Sequence, residues 1–243
     1  MTRKRRFKNE KYDEKVSVPH QFKAETNADN TQSTIVIYGE IGESWFGEST
    51  TAGDVENALK NITSSEIIVR LNSPGGSAFD GIAIYNLLKT HSAKIIIYID
   101  GWAASAASII AMAADVLIIN IGGMLMIHEA STGMWGFKED FEKEAVVLGK
   151  LNQSLIDIYM TRFKGERPEI ETMVSNETWF TASEAVDFGL ADSVGGAPIA
   201  PVQTDPEDFK NSVLARFRNK QTEPNPQSTP EQPKNILNQF KRD

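Results

Sequence analysis

The chain has 243 residues, 40% of them apolar, which is enough for one sizeable core or for one domain carrying long tails. It contains no cysteine, which excludes disulfides, thiolate catalysis and a cysteine-based metal site, and with three histidines, His20, His91 and His128, a histidine-rich metal site is not expected. The net charge of −8 is uneven: residues 1–24 hold eight basic and three acidic residues, residues 25–204 hold 10 and 24, and residues 205–243 hold seven and six.

A body this acidic repels phosphate backbones, so nucleic acid is not an expected partner. The start "MTRKRRFKNEKYDEK" is basic but has no apolar stretch behind it, and nowhere does the chain approach about 18 consecutive apolar residues. The expectation is a soluble cytoplasmic protein in which residues 1–32 are a flexible basic leader. From residue 201 to 243 the composition turns to Pro, Gln, Glu and Ser, as in "QTEPNPQSTPEQPK". Such a tail buries too little apolar surface to offset its ordering entropy, short helical pieces at "PEDFKNSVLARFRN" and "KNILNQFKR" aside. The working domain is then 33–200.

Within it, strand-like and helix-like runs alternate. "TIVIYG" reads as a strand, "TAGDVENALKN" as a helix starting at Thr or Asp, "SEIIVRLN" as a strand and "AFDGIAIYNLLKTH" as a helix. "KIIIYID" is a strand, "ASAASIIAMAA" a short helix, and "DVLIIN" and "GMLMIHE" two further strands. Apolar runs without polar alternation suggest parallel strands covered on both faces. A long amphipathic segment spans Lys138 to Lys164, followed by a short helix "PEIETMVSN". In "TASEAVDFG", Thr181 is the N-cap, Glu184 closes a capping box and Gly189 ends the helix. The fold class is α/β, and no internal repeat of about 20 to 50 residues is present.

Three junctions carry possible chemistry. "LNSPGGSAFDG" runs from strand to helix, and Gly75 and Gly76 permit a close backbone approach that could cradle an oxyanion; a tight turn is the other reading. "GWAASAAS" is also a strand-to-helix junction, the place where a nucleophile elbow holds its serine, although alanines there also serve helix-sheet packing. Ser108 lies one turn into that helix, away from the N-terminal position of Ser105. "MLMIH" ends a strand in His128, which is either a partly buried polar residue or a base. All three lie at C-terminal strand ends, where a parallel sheet opens its crevice.

In this order and spacing, "LNSPGGSAFDGIAIYNLL", "GWAASAASIIAMAA", "MLMIH" and "WFTASEAVDFGLADSV" resemble the proteolytic-subunit family of Clp proteases, a branch of the crotonase-like fold. The resemblance covers about 34 to 196. It implies repeated ββα units, a projecting long helix over 138–164 and serine endopeptidase activity without cofactor or metal. Ser105 falls on the nucleophile, His128 on the general base, and the backbone N–H groups of Gly76 and Ala106 on the oxyanion donors, with Gly75 beside them. The family's third triad residue, an Asp two positions before an aromatic, falls on Glu177. That departure leaves Asn176 or a backbone carbonyl as other ways of orienting His128. The resemblance also implies an extended polypeptide substrate between Ala78 and Ser131, and a ring-forming homo-oligomer.

The basic leader and Pro-rich tail resemble the phage and prophage branch, which trims scaffold or capsid protein during head maturation. A partner ATP-driven unfoldase is neither indicated nor excluded. Three alternatives stay open: an inactive assembly partner, an acyl-CoA enzyme of the crotonase type, and a Ser/Lys dyad using Lys89 or Lys94.

Overall fold

The computed structural model describes residues 18–44 and 47–196. Expectations for 1–17 and for the tail lie outside these residues.

Period-two burial decides how the sheet is built. In β2 (Gln32–Ile41), β3 (Glu66–Gly76) and β4 (Lys94–Ala104), every second residue of the apolar runs is buried. Ile35, Ile37, Ile67, Val69, Leu71, Ile97 and Ile99 have no exposure, and each stabilises the fold by about 2 kcal/mol relative to a solvated side chain. The helices add Val55, Ile84, Leu88 and Ile110 to the same core. The alternate residues Ile68, Ile96 and Tyr98 are only half-buried. On their side Asp100 accepts hydrogen bonds from Arg70, Tyr38 and Asn120. Coverage of both faces was expected from the apolar run, but "IIIYI" is equally compatible with one dry face and one half-open face of β-branched residues.

The sheet order is β1-β2-β3-β4-β5-β8, with β1 (Gln21–Thr26) antiparallel to β2 and the successive pairs through β5 (Val116–Asn120) to β8 (Ser193–Gly195) parallel. β4 changes partner along its length. Ile96 to Ile99 pair with β5, whereas Trp102 to Ala104 pair with β6 (Met124–Ile127). The switch occurs at Gly101, where a Cβ would stand 2.7 Å from Asn72 Oδ1, the acceptor of the Trp102 N–H. β7 (Thr178–Thr181) then pairs antiparallel with β6.

Six helices are described: α1 (Ala52–Leu59), α2 (Ala78–Thr90), α3 (Ala106–Ala111), α4 (Lys138–Met160), α5 (Arg167–Ser175) and α6 (Ala182–Asp187). Thr51 and Asp54 form a capping box on α1, Ser77 caps α2, and Thr181 with Glu184 caps α6. α4 buries only Leu155, Ile156 and Tyr159, so its first half projects, with Phe141 and Val146 exposed. No described helix is long and apolar enough to cross a membrane.

β1 corrects the expectation that all of 1–32 is a flexible leader. Its sequence QFKAET offers one large apolar side chain, Phe22, which packs on the core, while the last four residues, Ala24 included, are exposed. A polar edge strand of this kind has no periodicity to read.

Candidate active site

Ser105 is the first residue off β4 and the N-cap of α3, with φ 55° and ψ −124°. A non-glycine residue there stores about 1–3 kcal/mol of strain and persists only where its surroundings impose it. They do so on both sides. Its N–H donates to Met126 O at 3.0 Å, and its carbonyl accepts the Ser108 N–H at 2.9 Å. Ala103, Ala104, Ala106 and Ala107 are buried around it. Gly75, at φ +91°, explains why the neighbouring turn must be glycine: a Cβ would come within 2.5 Å of Ala104 O and 2.7 Å of Ser105 Cβ. Gly76 is equally constrained, since a Cβ would meet Ile41 O at 2.1 Å.

His128 stands one residue beyond β6, and the pairing of Ala104 with Met126 brings it over the elbow. Ser105 Oγ and His128 Nε2 are 2.7 Å apart. Burial holds the imidazole below its ordinary pKa, against the opposing charges of Glu177 and Glu129. The ring is therefore neutral near pH 7, and with its proton on Nδ1 its Nε2 lone pair accepts from the Ser105 hydroxyl.

Glu177 reaches His128 through β-pairing that the sequence did not reveal. Ile127 pairs with Thr178 in antiparallel register, so the next positions out, 128 and 177, face each other. Glu177 holds φ 51° just past the end of α5, with its N–H donating to Val174 O, and is half-buried. Asn176, the other side chain considered for this role, is exposed and closes α5 through its backbone N–H.

A cleft of about 270 Å³ opens over these groups, lined by Gly76, Ala78, Ser105, Ala106, His128 and Ser131 together. Gly75 and Glu177 do not line it: one packs against the elbow, the other acts on His128. The sequence reading missed the opposite wall, where Leu148, Leu151, Leu155 and Tyr159 of α4 stand with Phe79 and Ile109. Their helical spacing put them on one face, but nothing in it said that the face looked into a cleft. Lys89 and Lys94 line a different depression with Asp115. Lys94 begins the strand that Ser105 follows, about 35 Å away along an extended chain. A Ser/Lys dyad with either lysine is therefore ruled out.

The arrangement is a serine hydroxyl on a strained elbow, a neutral imidazole in hydrogen-bond contact, a carboxylate across the strand pair, and a helix N-terminus beside paired glycines. It suits acyl transfer through a serine.

Comparisons with known proteins agree. A family model described as Clp protease matches residues 30–197. The ATP-dependent Clp protease proteolytic subunit 1 of Chlamydia abortus is 29% identical over 161 residues, covering 62% of this chain and 84% of that protein. Subunit 3 of Rhodococcus jostii is 29% identical over 179 residues, covering 72% and 88%. Among solved structures, a point mutant of ClpP1 from Listeria monocytogenes superposes with a TM-score of 0.59 at 23% identity, covering 68% of this chain and 91% of that one. That likeness speaks for the fold.

Proposed function

The chain belongs to the Clp protease family and is a serine peptidase, and from that premise we propose that Ser105 is its nucleophile, His128 its general base and Glu177 the third member of the triad. The observation that carries this reading is the 2.7 Å contact between Ser105 Oγ and His128 Nε2 on the left-handed elbow.

His128 Nε2 takes the Ser105 proton as Oγ attacks the scissile carbonyl carbon. The N–H groups of Gly76 and Ala106 receive the oxyanion, each such donor lowering the barrier by about 3 kcal/mol. The imidazolium gives its proton to the departing amine as the C–N bond breaks, leaving an acyl-enzyme on Ser105. Water, deprotonated by the same imidazole, attacks the ester and frees Ser105. Glu177 holds the imidazole in the required tautomer and offsets its positive charge. The substrate lies extended between Ala78 and Ser131, recognised mainly through its backbone.

The family forms oligomeric rings and acts on polypeptides. The finer role is trimming of scaffold or capsid protein in phage head maturation, in the cytoplasm. The basic leader and the Pro/Gln-rich tail support this role. The curated relatives are named ATP-dependent, so an unfoldase-fed chamber is the second reading. Portal and capsid genes beside this one favour the first; an adjacent unfoldase gene favours the second.

The chemical assignment is tested by labelling the assembled oligomer with a fluorophosphonate. The label is expected on Ser105, absent in Ser105→Ala and still on Ser105 in Ser108→Ala. An unlabelled oligomer points instead to an inactive assembly partner.

A further inference from the structure

We propose that Ser108 and Tyr159 are positioning residues of the oxyanion hole: a two-hydroxyl relay from α4 that fixes the peptide plane between Ser105 and Ala106. The proposal rests on the reading of the Ala106 N–H as an oxyanion donor.

The carbonyl of Ser105 and the N–H of Ala106 belong to one planar trans peptide and point in opposite directions, so fixing the first aims the second. The carbonyl is held by the Ser108 N–H at 2.9 Å and by the Ser108 hydroxyl at 2.6 Å, with the Ile109 N–H at 3.4 Å. Ala106 itself lines the cleft, and as the first residue of α3 its N–H has no intrahelical acceptor. It is free for the substrate only while the plane stays where the carbonyl's donors hold it.

The direction of the relay follows from the chemistry of its ends. A carbonyl can only accept, so the Ser108 Oγ–H donates to Ser105 O. The oxygen of Ser108 then accepts the Tyr159 O–H, 2.7 Å away. Burial drives the Tyr159 phenol well above its ordinary pKa, so it remains a donor throughout the working range.

Packing alone does not account for the pair. Ser108 is fully buried and Tyr159 is 1% exposed, and a buried hydroxyl costs about 1–3 kcal/mol unless it is hydrogen-bonded. Alanine at 108 and phenylalanine at 159 would fill the same space with no such cost, and alanine is the better helix former. A serine bonding back one turn offers a helix interior little or no stabilisation. What the hydroxyls add is a tie across 51 residues of sequence. α3 has six residues, too few to hold its first turn rigid unaided, whereas Tyr159 sits in the buried end of a 23-residue helix. Leu151 and Leu155 of that helix line the cleft, so the relay joins the substrate wall to the oxyanion donor.

The test uses Ser108→Ala, Tyr159→Phe and the double variant as assembled oligomers, with a peptide substrate and a peptide boronate that forms the tetrahedral adduct. Each single variant is expected to lose about tenfold in kcat with KM nearly unchanged. Boronate affinity should fall in parallel, and the double variant should be no worse than the weaker single, because both cut one relay. The acid limb of the pH profile, set by His128, should not move. Tyr159→Phe removes a single oxygen, so it decides the question even if Ser108→Ala fails to assemble.

Wild-type kcat in Tyr159→Phe overturns the proposal. So does a fall in kcat with boronate affinity unchanged, since the oxyanion donor is then not what the hydroxyls position. A wild-type oligomer that takes no fluorophosphonate overturns the parent assignment instead, which separates the two failures.

Discussion

Ser105 and Glu177 both hold a left-handed backbone, at φ 55° and 51°, and both stand at a helix boundary with a side chain that bears on His128. Their surroundings differ. Ser105 is gripped from every side: its N–H and carbonyl are hydrogen-bonded, four buried alanines flank it, and Gly75 leaves no room for the turn to relax. Glu177 follows two exposed residues, Ser175 and Asn176, at a position past a helix end where glycine is the usual occupant, and its N–H returns to Val174. The elbow's strain is imposed by its neighbours, while on the proposed triad the strain at Glu177 is tolerated for the sake of its carboxylate. Strain of the first kind resists mutation of the surroundings until a wall is moved. The second kind is removable at one residue.

The largest break comes from moving a wall. Gly75→Ala drives a methyl to 2.5 Å from Ala104 O and 2.7 Å from Ser105 Cβ, so the elbow must give way by most of an ångström to restore ordinary contact at 3.4 Å. Because misplacing a reacting group by about 1 Å costs on the order of a hundredfold, kcat/KM should fall by about that factor. Measuring kcat/KM on an oligomer of unchanged mass checks it; an unaffected rate would mean that the elbow is not held from this side.

The contrast also explains what could be read in the sequence. The elbow at Ser105 was legible as one of two readings because its constraints are local and compositional: small residues at a strand end, glycines on the adjacent junction and a histidine ending "MLMIH"; the family pattern chose between nucleophile and packing. The capping box of Thr181 and Glu184 is local too, and the structure shows it. Glu177 was reached only through the family pattern, since β7 is four residues long and its pairing with β6 is a tertiary event. β1 and β8 escaped for the same reason, one a polar edge strand and the other three residues long. Ser108 read as an ordinary helix residue because its partner Tyr159 lies 51 positions away. Spacing on α4 marked a stripe, but not which part of it was the wall of a cleft.

The second break addresses the carboxylate. Glu177→Ala should cut peptide turnover at least tenfold, since an unoriented imidazole loses the tautomer that accepts from Ser105; unchanged turnover would return the role to a backbone group. The same variant shifts the pH profile in a fixed direction. Burial lowers the His128 pKa below 6.5 and the negative charge of Glu177 opposes that lowering. Removing the charge lets the pKa drop further, so the acid limb of kcat/KM should move to lower pH as maximal turnover falls. A limb that moves upward, or stays, would mean that the carboxylate does not act on His128.

The smallest effect separates strain from function most cleanly. Glu177→Gly and Glu177→Ala lack the same carboxylate and should be equally slow, but only glycine adopts φ 51° without a Cβ penalty. The glycine variant should therefore be more stable than the alanine variant by about 1 kcal/mol, or about 2–4 °C in melting temperature for a domain of this size. Against wild type, the glycine variant trades the contacts of the Glu177 side chain for relief of the left-handed strain, and it should melt higher where that strain is the larger of the two. Thermal melts of the three oligomers at one protein concentration decide the point. If the glycine variant melts lower than wild type, Glu177 is a structural tie as well as an orienting group, and the distinction between imposed and tolerated strain fails at this residue. If it melts higher while turnover collapses, the family's third position has been kept at a cost in stability by the charge it places beside His128.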